Sequence, residues 1–361
     1  QGDYRVEERN HLKPVEALTD VGPPDRGGIA AVETYSFQLE PFPNEAKAIH
    51  KALAAAGHPV TVFERWPKLG GVLRWIPRFK LPAEVLETYL ERLKARGIRF
   101  QTNTEIRSVQ ELLGRGFDAV FLGIGASRPA IPAIPGRDLG GILTATEFLV
   151  RVFYDPAALP NGWQPITTLA GRRVAVLGGG DSAMDCVRTA IRLGASEVTC
   201  VYRRDEANMP GSRKEVKAAK EEGARMLFLA SPTAFGSDDG RAVSRVECVR
   251  MEMGAPDSSG RRSPKPVEGS GFSVEADRVV LAFGYEVEST LEEHPRLIPT
   301  PGGAVWAQPS TGATWVPGVF AGGDCVTGPK LVSTSAQSGI VAARGMLRYL
   351  AGEPWGALAV C

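Results

Sequence analysis

The sequence is poor in cysteine and histidine. Its 361 residues include five cysteines and four histidines, and no two cysteines form a Cys-X-X-Cys pair. This spacing excludes a zinc ribbon, an iron–sulfur binding run and a disulfide framework. We therefore expect the cysteines to be small core residues, or exposed at the tail, in a reducing compartment that is most simply the cytoplasm. The histidines are scattered along the chain, so no metal site is predicted.

Strong charge of one sign and long apolar segments are also absent. The net charge is +1, so neither nucleic acid nor an anionic membrane is expected as a partner. No apolar run approaches the roughly 18 residues of a membrane helix. Residues 1–33 are polar and charged, which does not predict a signal peptide.

The apolar patterns predict an α/β protein built from two similar units. The first unit has a buried strand over residues 58–64, an amphipathic helix over 81–96 and a strand over 118–123. The second opens with a strand over residues 173–177, followed by a glycine turn, a helix and a strand that ends at Tyr202. Two such units in one chain indicate two nucleotide-binding domains.

The glycine turn of the second unit, residues 178–180, lies between a strand and a helix. Glycine allows a tight turn and a close approach to a pyrophosphate, which the N–H groups at the helix start would hold. Asp181 or Ser182 can cap that helix. The next strand ends with Arg203 and Arg204, where NAD sites usually carry an acid. Two arginines favour the 2′-phosphate of NADP, although they could also be solvated surface side chains.

The corresponding loop of the first unit lacks its glycines. Glu64 ends a strand where a ribose-binding acid belongs. Counting back from the following helix, however, the three glycine positions hold Pro41, Pro43 and Ala46. Proline has no N–H to offer a phosphate, so this loop is predicted to be unfit for a pyrophosphate. Residues 35–46 are then either a degenerate loop or the product of a frame error in the sequence.

Other parts of a flavin site are present. Gly70 and Gly71 would let the backbone approach a planar ligand, and Gly125 follows a strand at its carboxyl end. Asp324 precedes a helix and could accept a hydrogen bond from a ribitol hydroxyl. A plain turn at residues 70–71 and a helix cap at Asp324 are the alternatives.

Four long strings resemble the small subunit of bacterial glutamate synthase and its relatives. They are residues 70–77 (GGVLRWIP), 181–188 (DSAMDCVR), 202–213 (YRRDEANMPGSR) and 320–324 (FAGGD). The resemblance runs from about residue 46 to residue 350. It implies one FAD between two interleaved domains, reduced by NADPH or NADH. Because the cofactors carry hydride transfer, no catalytic side chain is predicted.

The fold class that follows is α/β, with two Rossmann-like nucleotide-binding domains and the NAD(P) domain inserted in the FAD domain. Residues 1–34 are predicted to form an N-terminal arm and 35–165 the first part of the FAD-binding domain. Residues 166–285 form the NAD(P)-binding domain. Residues 286–361 form the second part of the FAD-binding domain and a C-terminal helix.

Two sets of cofactor-binding residues are predicted from the residues and the resemblance together. The flavin set is Glu64, Gly70, Gly71, Leu73, Arg74, Gly125 and Asp324. The NADP set is Gly178, Gly180, Asp181, Ser182, Ala183, Arg203, Arg204 and Arg213, of which Arg213 could equally be a surface charge.

The cysteine pattern modifies the function that the resemblance implies. Glutamate synthase members carry a cysteine-rich N-terminal domain with iron–sulfur clusters, whereas this chain has no cysteine before Cys186. A partner would then supply the electron relay. The predicted function is a flavin-containing NAD(P)H:acceptor oxidoreductase subunit, working with an iron–sulfur electron-transfer subunit and a larger catalytic subunit, as in a 2-oxoacid:acceptor oxidoreductase. The alternatives are a glutamate synthase small subunit and a non-catalytic assembly subunit with a decayed flavin site.

Overall fold

In the computed structural model, the chain is organised around two five-stranded parallel sheets. It describes residues 28–33, 53, 55–256, 262–287, 291, 297 and 303–359. No helix within these ranges is long and apolar enough to cross a membrane.

The first sheet is assembled from both ends of the chain. Its strands are β1 (Gly28–Glu33), β2 (Val60–Glu64), β3 (Arg99–Gln101), β4 (Phe117–Gly123) and β15 (Val319–Ala321). They are ordered β15-β4-β1-β2-β3, and every pair is parallel. β2 is buried along its whole length, as a strand covered on both faces must be.

The helices of the first unit cover this sheet. They are α1 (Ala83–Lys94), α2 (Val109–Gly114), α6 (Asp324–Thr327), α7 (Val332–Leu350) and α8 (Trp355–Ala359). α1 buries Leu86, Leu90 and Leu93, spaced so that they form one helical face. A short 3-10 turn, Gly71–Arg74, precedes α1.

The second sheet is formed by the middle of the chain. Its strands are β6 (Ile142–Thr144), β7 (Arg173–Leu177), β8 (Glu197–Tyr202), β9 (Arg225–Phe228) and β13 (Arg278–Leu281). The order is β6-β13-β7-β8-β9, again all parallel. The helices are α3 (Ala145–Phe153), α4 (Asp181–Arg192) and α5 (Arg213–Glu221), with 3-10 turns at Pro156–Ala158 and Glu206–Asn208.

Two smaller sheets complete the architecture. β10 (Ala230–Gly236), β11 (Arg245–Pro256) and β12 (Arg262–Glu275) form an antiparallel sheet. β5 (Arg128–Pro129) pairs antiparallel with β14 (Tyr285–Glu286), where the chain enters and leaves the second unit. The second unit thus lies between β4 and β15 of the first, which confirms the predicted insertion.

The sheets differ from the predicted boundaries at two places. β1 occupies the centre of the first sheet, although residues 1–34 are predicted to form an arm. Three of its six residues, GIAAVE, are glycine or alanine, which are depleted in strands, so the segment does not stand out as a strand in the sequence. The second unit also begins before residue 166, because β6 pairs with β13 and α3 packs beneath that sheet. A three-residue strand carries almost no periodic signal.

An ionic cluster joins the two units. Lys80, from the loop before α1, places its Nζ 2.5 Å from Asp185 Oδ1 and 3.2 Å from Glu215 Oε2. Arg188 lies 2.7 Å from the same Glu215, and its guanidinium stacks over the Phe79 ring. Since these side chains are mostly buried, the cluster fixes the loop of the first unit against α4 and α5 of the second.

Candidate functional site

The turn after β7 depends on glycine for two separate packing reasons. Gly178 has φ +144°, and a Cβ there would lie 2.1 Å from the backbone oxygen of Ala282. A Cβ on Gly179 would lie 2.5 Å from the ring of Tyr202. Both contacts are closer than real Cβ atoms allow, so the two glycines let β7, β8 and the strand end at Ala282 converge at the start of α4.

Gly180 is different, because nothing lies within 4 Å of the position its Cβ would take. Its backbone is extended, with φ −86°, and it is the residue immediately before α4. The space in front of it opens into a cavity of about 690 Å³. A Cβ here would fill the approach to the helix start, where N–H groups and the helix dipole favour a phosphate. These residues therefore fit a dinucleotide.

Two arginines lie along the same cavity. Arg203 is exposed, whereas Arg204 is half-buried and keeps its Nε away from solvent with no hydrogen-bond partner in the described part of the chain. The neighbouring Tyr202 donates its hydroxyl to the Asn208 carbonyl at 2.8 Å. Burial raises the pKa of that hydroxyl, and the two nearby guanidinium groups partly offset the shift. A buried, unpaired guanidinium N–H at a cavity wall is suited to an anion such as a 2′-phosphate.

Two other members of the predicted NADP set, Asp181 and Ala183, do not line the cavity. Ser182 lines the cavity, but the Ala183 side chain is fully buried in the core. Asp181 Oδ1 accepts a hydrogen bond from the Ser212 N–H at 2.8 Å, and the Gly211 N–H donates to the Gly179 oxygen at 2.9 Å. Asp181 thus ties the loop at residues 209–212 to the glycine turn.

Arg213 lies apart from Arg203 and Arg204. It begins α5 and lines a separate depression that also contains Lys217, Lys220 and Glu206. Its predicted contact with NADP stays a prediction, and the geometry favours the alternative of a surface charge.

The far end of the cavity has an apolar wall that the predicted site set does not include. Phe283 is 36% exposed and Ile131 is 43% exposed, high values for large apolar side chains, and both line the cavity with Tyr285. The sequence alone could have indicated Phe283 as a site residue, because it follows the carboxyl end of a buried strand. An exposed apolar wall suits the face of a flat ring.

At the first sheet, the predicted flavin residues gather along one edge. Glu64 ends β2 and Gly123 ends β4, and both pair in register with the last residue of β1. Gly125, with φ +67°, follows two residues after β4. Asp324 follows β15, which pairs with β4 on its other side. The carboxyl ends of four adjacent parallel strands therefore bring these residues to the edge where nucleotides bind.

The two carboxylates at this edge are buried and hydrogen-bonded. Glu64 is 1% exposed, and its Oε1 accepts the Trp66 N–H at 2.9 Å. Asp324 is 3% exposed, and its Oδ1 accepts the Ser335 hydroxyl at 2.7 Å and the Lys330 N–H at 3.2 Å. Asp324 therefore fixes the loop between α6 and α7 in place.

The Gly70–Gly71 turn has a backbone conformation that favours glycine, while its predicted approach to a planar ligand stays a prediction. Gly70 has φ +114° and Gly71 has φ +49°, which other residues rarely adopt. Leu73 packs in the small core under α1. Arg74 donates its Nε to the Leu69 oxygen at 2.5 Å and pairs with Glu87. The loop at Pro41, Pro43 and Ala46 lies outside the described residues.

The cavity connects the two units. It extends from the glycine turn, Gly178 to Gly180, to Pro329, which belongs to the loop held by Asp324. A ligand lying with its phosphates at the glycine turn can therefore reach the edge of the first sheet.

Comparison with protein families gives a match to the pyridine nucleotide-disulphide oxidoreductases over residues 114–339. Among curated proteins, the glutamate synthase [NADPH] small chain of Escherichia coli (strain K12) is 42% identical over 307 residues. The match covers 82% of this chain and 65% of that protein. The NADP(+)-dependent formate dehydrogenase subunit beta of Moorella thermoacetica is 38% identical, covering 82% of this chain and 41% of that one. The chain thus spans two thirds or less of these relatives.

Among solved structures, FprA of Mycobacterium tuberculosis in complex with NADPH superposes with a TM-score of 0.69 at 21% identity. The match covers 94% of this chain and 87% of FprA. At that identity the likeness concerns the fold, and it agrees with two nucleotide-binding units in one chain.

Proposed function

The chain belongs to the pyridine nucleotide-disulphide oxidoreductase family, and on this premise we propose that it is the flavin subunit of an NAD(P)H:acceptor oxidoreductase. The family is one of FAD-dependent enzymes that use NADP or NAD, and these are the cofactors of this chain. In the proposed complex, electrons pass between the nicotinamide nucleotide and an iron–sulfur partner subunit.

The observation that carries the proposal is the cavity shared by the two units. The cavity is lined at one end by Gly180, which leaves open space, and by the adjacent Arg203 and Arg204. At the other end it reaches the loop held by Asp324. Bound there, a nicotinamide ring and a flavin ring supply the hydride chemistry. The chain's own residues would hold the phosphates, orient the rings against the apolar wall and exclude water.

The cysteines support an acceptor outside the chain. Cys186, Cys200, Cys248 and Cys325 are all free and buried, and each lies in a different helix or strand. Burial raises the pKa of the Cys200, Cys248 and Cys325 thiols to about 12. Such thiols are poor nucleophiles and poor metal ligands at neutral pH. Electrons from the flavin would therefore leave to another protein, and an iron–sulfur cluster suits a flavin that can release electrons singly.

A glutamate synthase small subunit is the second candidate. It is favoured by 42% identity over 82% of the chain. The two candidates differ in the partner, because the second requires the other subunit of a glutamate synthase.

An anaerobic acceptor assay tests the proposal. The chain with FAD and NADPH is mixed with an oxidised ferredoxin-type iron–sulfur protein, and cluster reduction is followed by its visible absorbance. The expected result is two clusters reduced per NADPH, since each accepts one electron. A flavin that NADPH reduces but that transfers nothing to the iron–sulfur protein would contradict the proposed partner.

The Gly180→Val variant distinguishes catalysis from a purely structural role. If the chain is the flavin subunit, the variant loses NADPH-linked cluster reduction while the fold is kept. A partner complex that keeps its full NADPH-linked activity with this variant would instead indicate a non-catalytic assembly subunit.

A further inference from the structure

A second cavity lies at the opposite edge of the second sheet, among three arginines. Its volume is about 490 Å³. The starts of β6 and β13 form its floor, residues 165–172 form one wall, and α3 contributes Arg151. β7 separates this edge from the glycine turn by five residues, roughly 16 Å at the rise of a strand. The cavity is therefore distinct from the nucleotide site.

The positive charges of the three arginines around this cavity are not equally neutralised by nearby carboxylates. Arg151 pairs with Glu147 at 3.1 Å and donates its Nε to the Gln164 oxygen at 2.7 Å. Arg172 and Arg278 also line the cavity, but neither has a carboxylate within ion-pair distance among the residues that the structure describes. These two guanidinium groups thus have no direct ion pair with a described residue, and Asp277 compensates their charge only at longer range.

Arg278 is held in place by the backbone around it. Its Nη1 donates to the Asp277 oxygen at 2.8 Å. Gly141 has φ +91°, and a Cβ there would lie 3.2 Å from that same Nη1 and 3.2 Å from the Asp277 oxygen. Glycine at this position therefore makes room for the guanidinium to lie against the chain. A side chain fixed in this way is preorganised for a ligand.

The electrostatic environment favours an anion. Burial lowers the pKa of Arg278, and the positive charges of Arg172 and Arg151 lower it further, with a partial offset from Asp277. Holding like charges together in a half-buried position costs free energy, which a bound anion would recover. Thr168 adds a donor, because its Oγ1 accepts the Ala170 N–H at 3.1 Å and its own proton is left to donate.

We propose that this cavity is a binding site for a small anion with at least two negative charges, carried by phosphate or carboxylate groups. The guanidinium groups of Arg172 and Arg278 would each donate two parallel hydrogen bonds to a phosphate or carboxylate. Arg151 would add electrostatic attraction at longer range. The volume admits a small metabolite rather than a protein segment.

Calorimetry on the intact chain, with its FAD and with the nucleotide site saturated by NADP+, tests the proposal. Inorganic pyrophosphate and citrate are titrated separately at low ionic strength, so that the two arms distinguish phosphate from carboxylate ligands. Binding of either probe at one site per chain is the expected result. The Arg172→Ser, Arg278→Ser double variant should lose at least 10-fold in affinity for the probe that binds.

The matched control is the Arg96→Ser, Arg99→Ser double variant, which removes the same charge from the exposed surface of the first unit. It should change the affinity by less than 2-fold. Should the first double variant fail to fold, Arg172→Ser alone, at an exposed side chain, should weaken binding at least 3-fold. The proposal is overturned if neither probe binds at one site per chain, or if the control weakens binding as much.

Discussion

The phosphate-facing turn of the second sheet is one continuous stretch, residues 178–180, whereas the residues predicted to face the flavin in the first sheet come from separate segments. Gly180, which has open space in front of it, directly follows Gly178 and Gly179, which pack against Ala282 and Tyr202. Glu64, Gly125 and Asp324 are far apart in sequence and meet only because β2, β4 and β15 belong to one parallel sheet. The comparison shows that the glycine turn proposed for phosphate comes from one short stretch of sequence. The residues proposed for the flavin are brought together only by the order of the strands.

The largest expected effect tests the local motif. Gly180→Val should weaken NADPH binding at least 100-fold, because its side chain fills the approach to the start of α4 while its backbone needs no special conformation. Melting temperature and FAD content should stay near those of the wild type. Gly271→Val is the matched control, since Gly271 also has open space around it but lies in β12, away from the cavity. Equal losses of NADPH affinity in both variants would refute the claim that Gly180 acts at the phosphate site itself.

Coenzyme choice should show the next largest effect. Arg203→Ala with Arg204→Ala should raise the KM for NADPH by 10- to 100-fold and that for NADH by less than 3-fold, because only NADPH carries the 2′-phosphate. Steady-state kinetics with both nucleotides measures the ratio. Arg213→Ala should leave the ratio unchanged, since Arg213 lies outside the cavity. Parallel increases for both nucleotides would show that the two arginines do not recognise the phosphate.

A variant at the other sheet tests the comparison from the flavin side. Asp324→Asn keeps the shape of a buried side chain but removes the charge that accepts the Ser335 hydroxyl and the Lys330 N–H. FAD affinity should fall by about 10-fold, on the scale of one charged hydrogen bond, while NADP+ affinity should stay within 2-fold. Fluorescence titration with each cofactor separates the two. A selective loss of NADP+ affinity would contradict the assignment of Asp324 to the flavin edge.

The smallest expected effect concerns the amino-terminal edge of the second sheet. The hydrogen bonds from Arg173 lower the pKa of Asp277 to about 2. The pair therefore stabilises the fold above the ordinary pKa of 3.8, and the stabilisation is lost as the pH falls toward 2. After allowance for solvent screening, Asp277→Asn should lower the free energy of unfolding by about 1 kcal/mol at pH 7.

Urea unfolding of this variant at pH 7 and near pH 3 measures the effect, and the difference from wild type should shrink at the lower pH. Glu275→Gln is the control, because Glu275 pairs with the same Arg173 but is 72% exposed. Glu275→Gln should lower the free energy of unfolding by less than Asp277→Asn does. A larger decrease would contradict the ranking of the two ion pairs.

Much of the second unit could be predicted because its signals are local. The strand at β7, the glycine turn, α4 and the arginines after β8 lie within one stretch of sequence, and the structure places them within a residue or two of the prediction. The roles of Gly178 and Gly179 in packing against Ala282 and Tyr202 were not predictable, since those contacts depend on how distant segments converge.

The first unit was harder to predict because its elements are short or distant. β1 contains two alanines and a glycine, which are uncommon in strands, yet it lies between β2 and β4 at the centre of the sheet. Likewise, the link from Lys80 to Asp185 joins residues more than a hundred positions apart, and no periodic pattern indicates it. Family resemblance supplied the flavin residues, and the parallel sheet supplies the reason that they meet.

The central claim is that the first sheet binds FAD at the carboxyl ends of its strands, that the second sheet binds NADPH at the corresponding edge, and that NADPH reduces the flavin. Its most direct measurement is an anaerobic titration of the purified chain with NADPH, preceded by determination of its FAD content. The account predicts one FAD per chain and a flavin absorbance that NADPH bleaches in the wild type but not in Gly180→Val. A colourless chain that takes up no added FAD, or a bound flavin that neither NADPH nor NADH reduces, would contradict it.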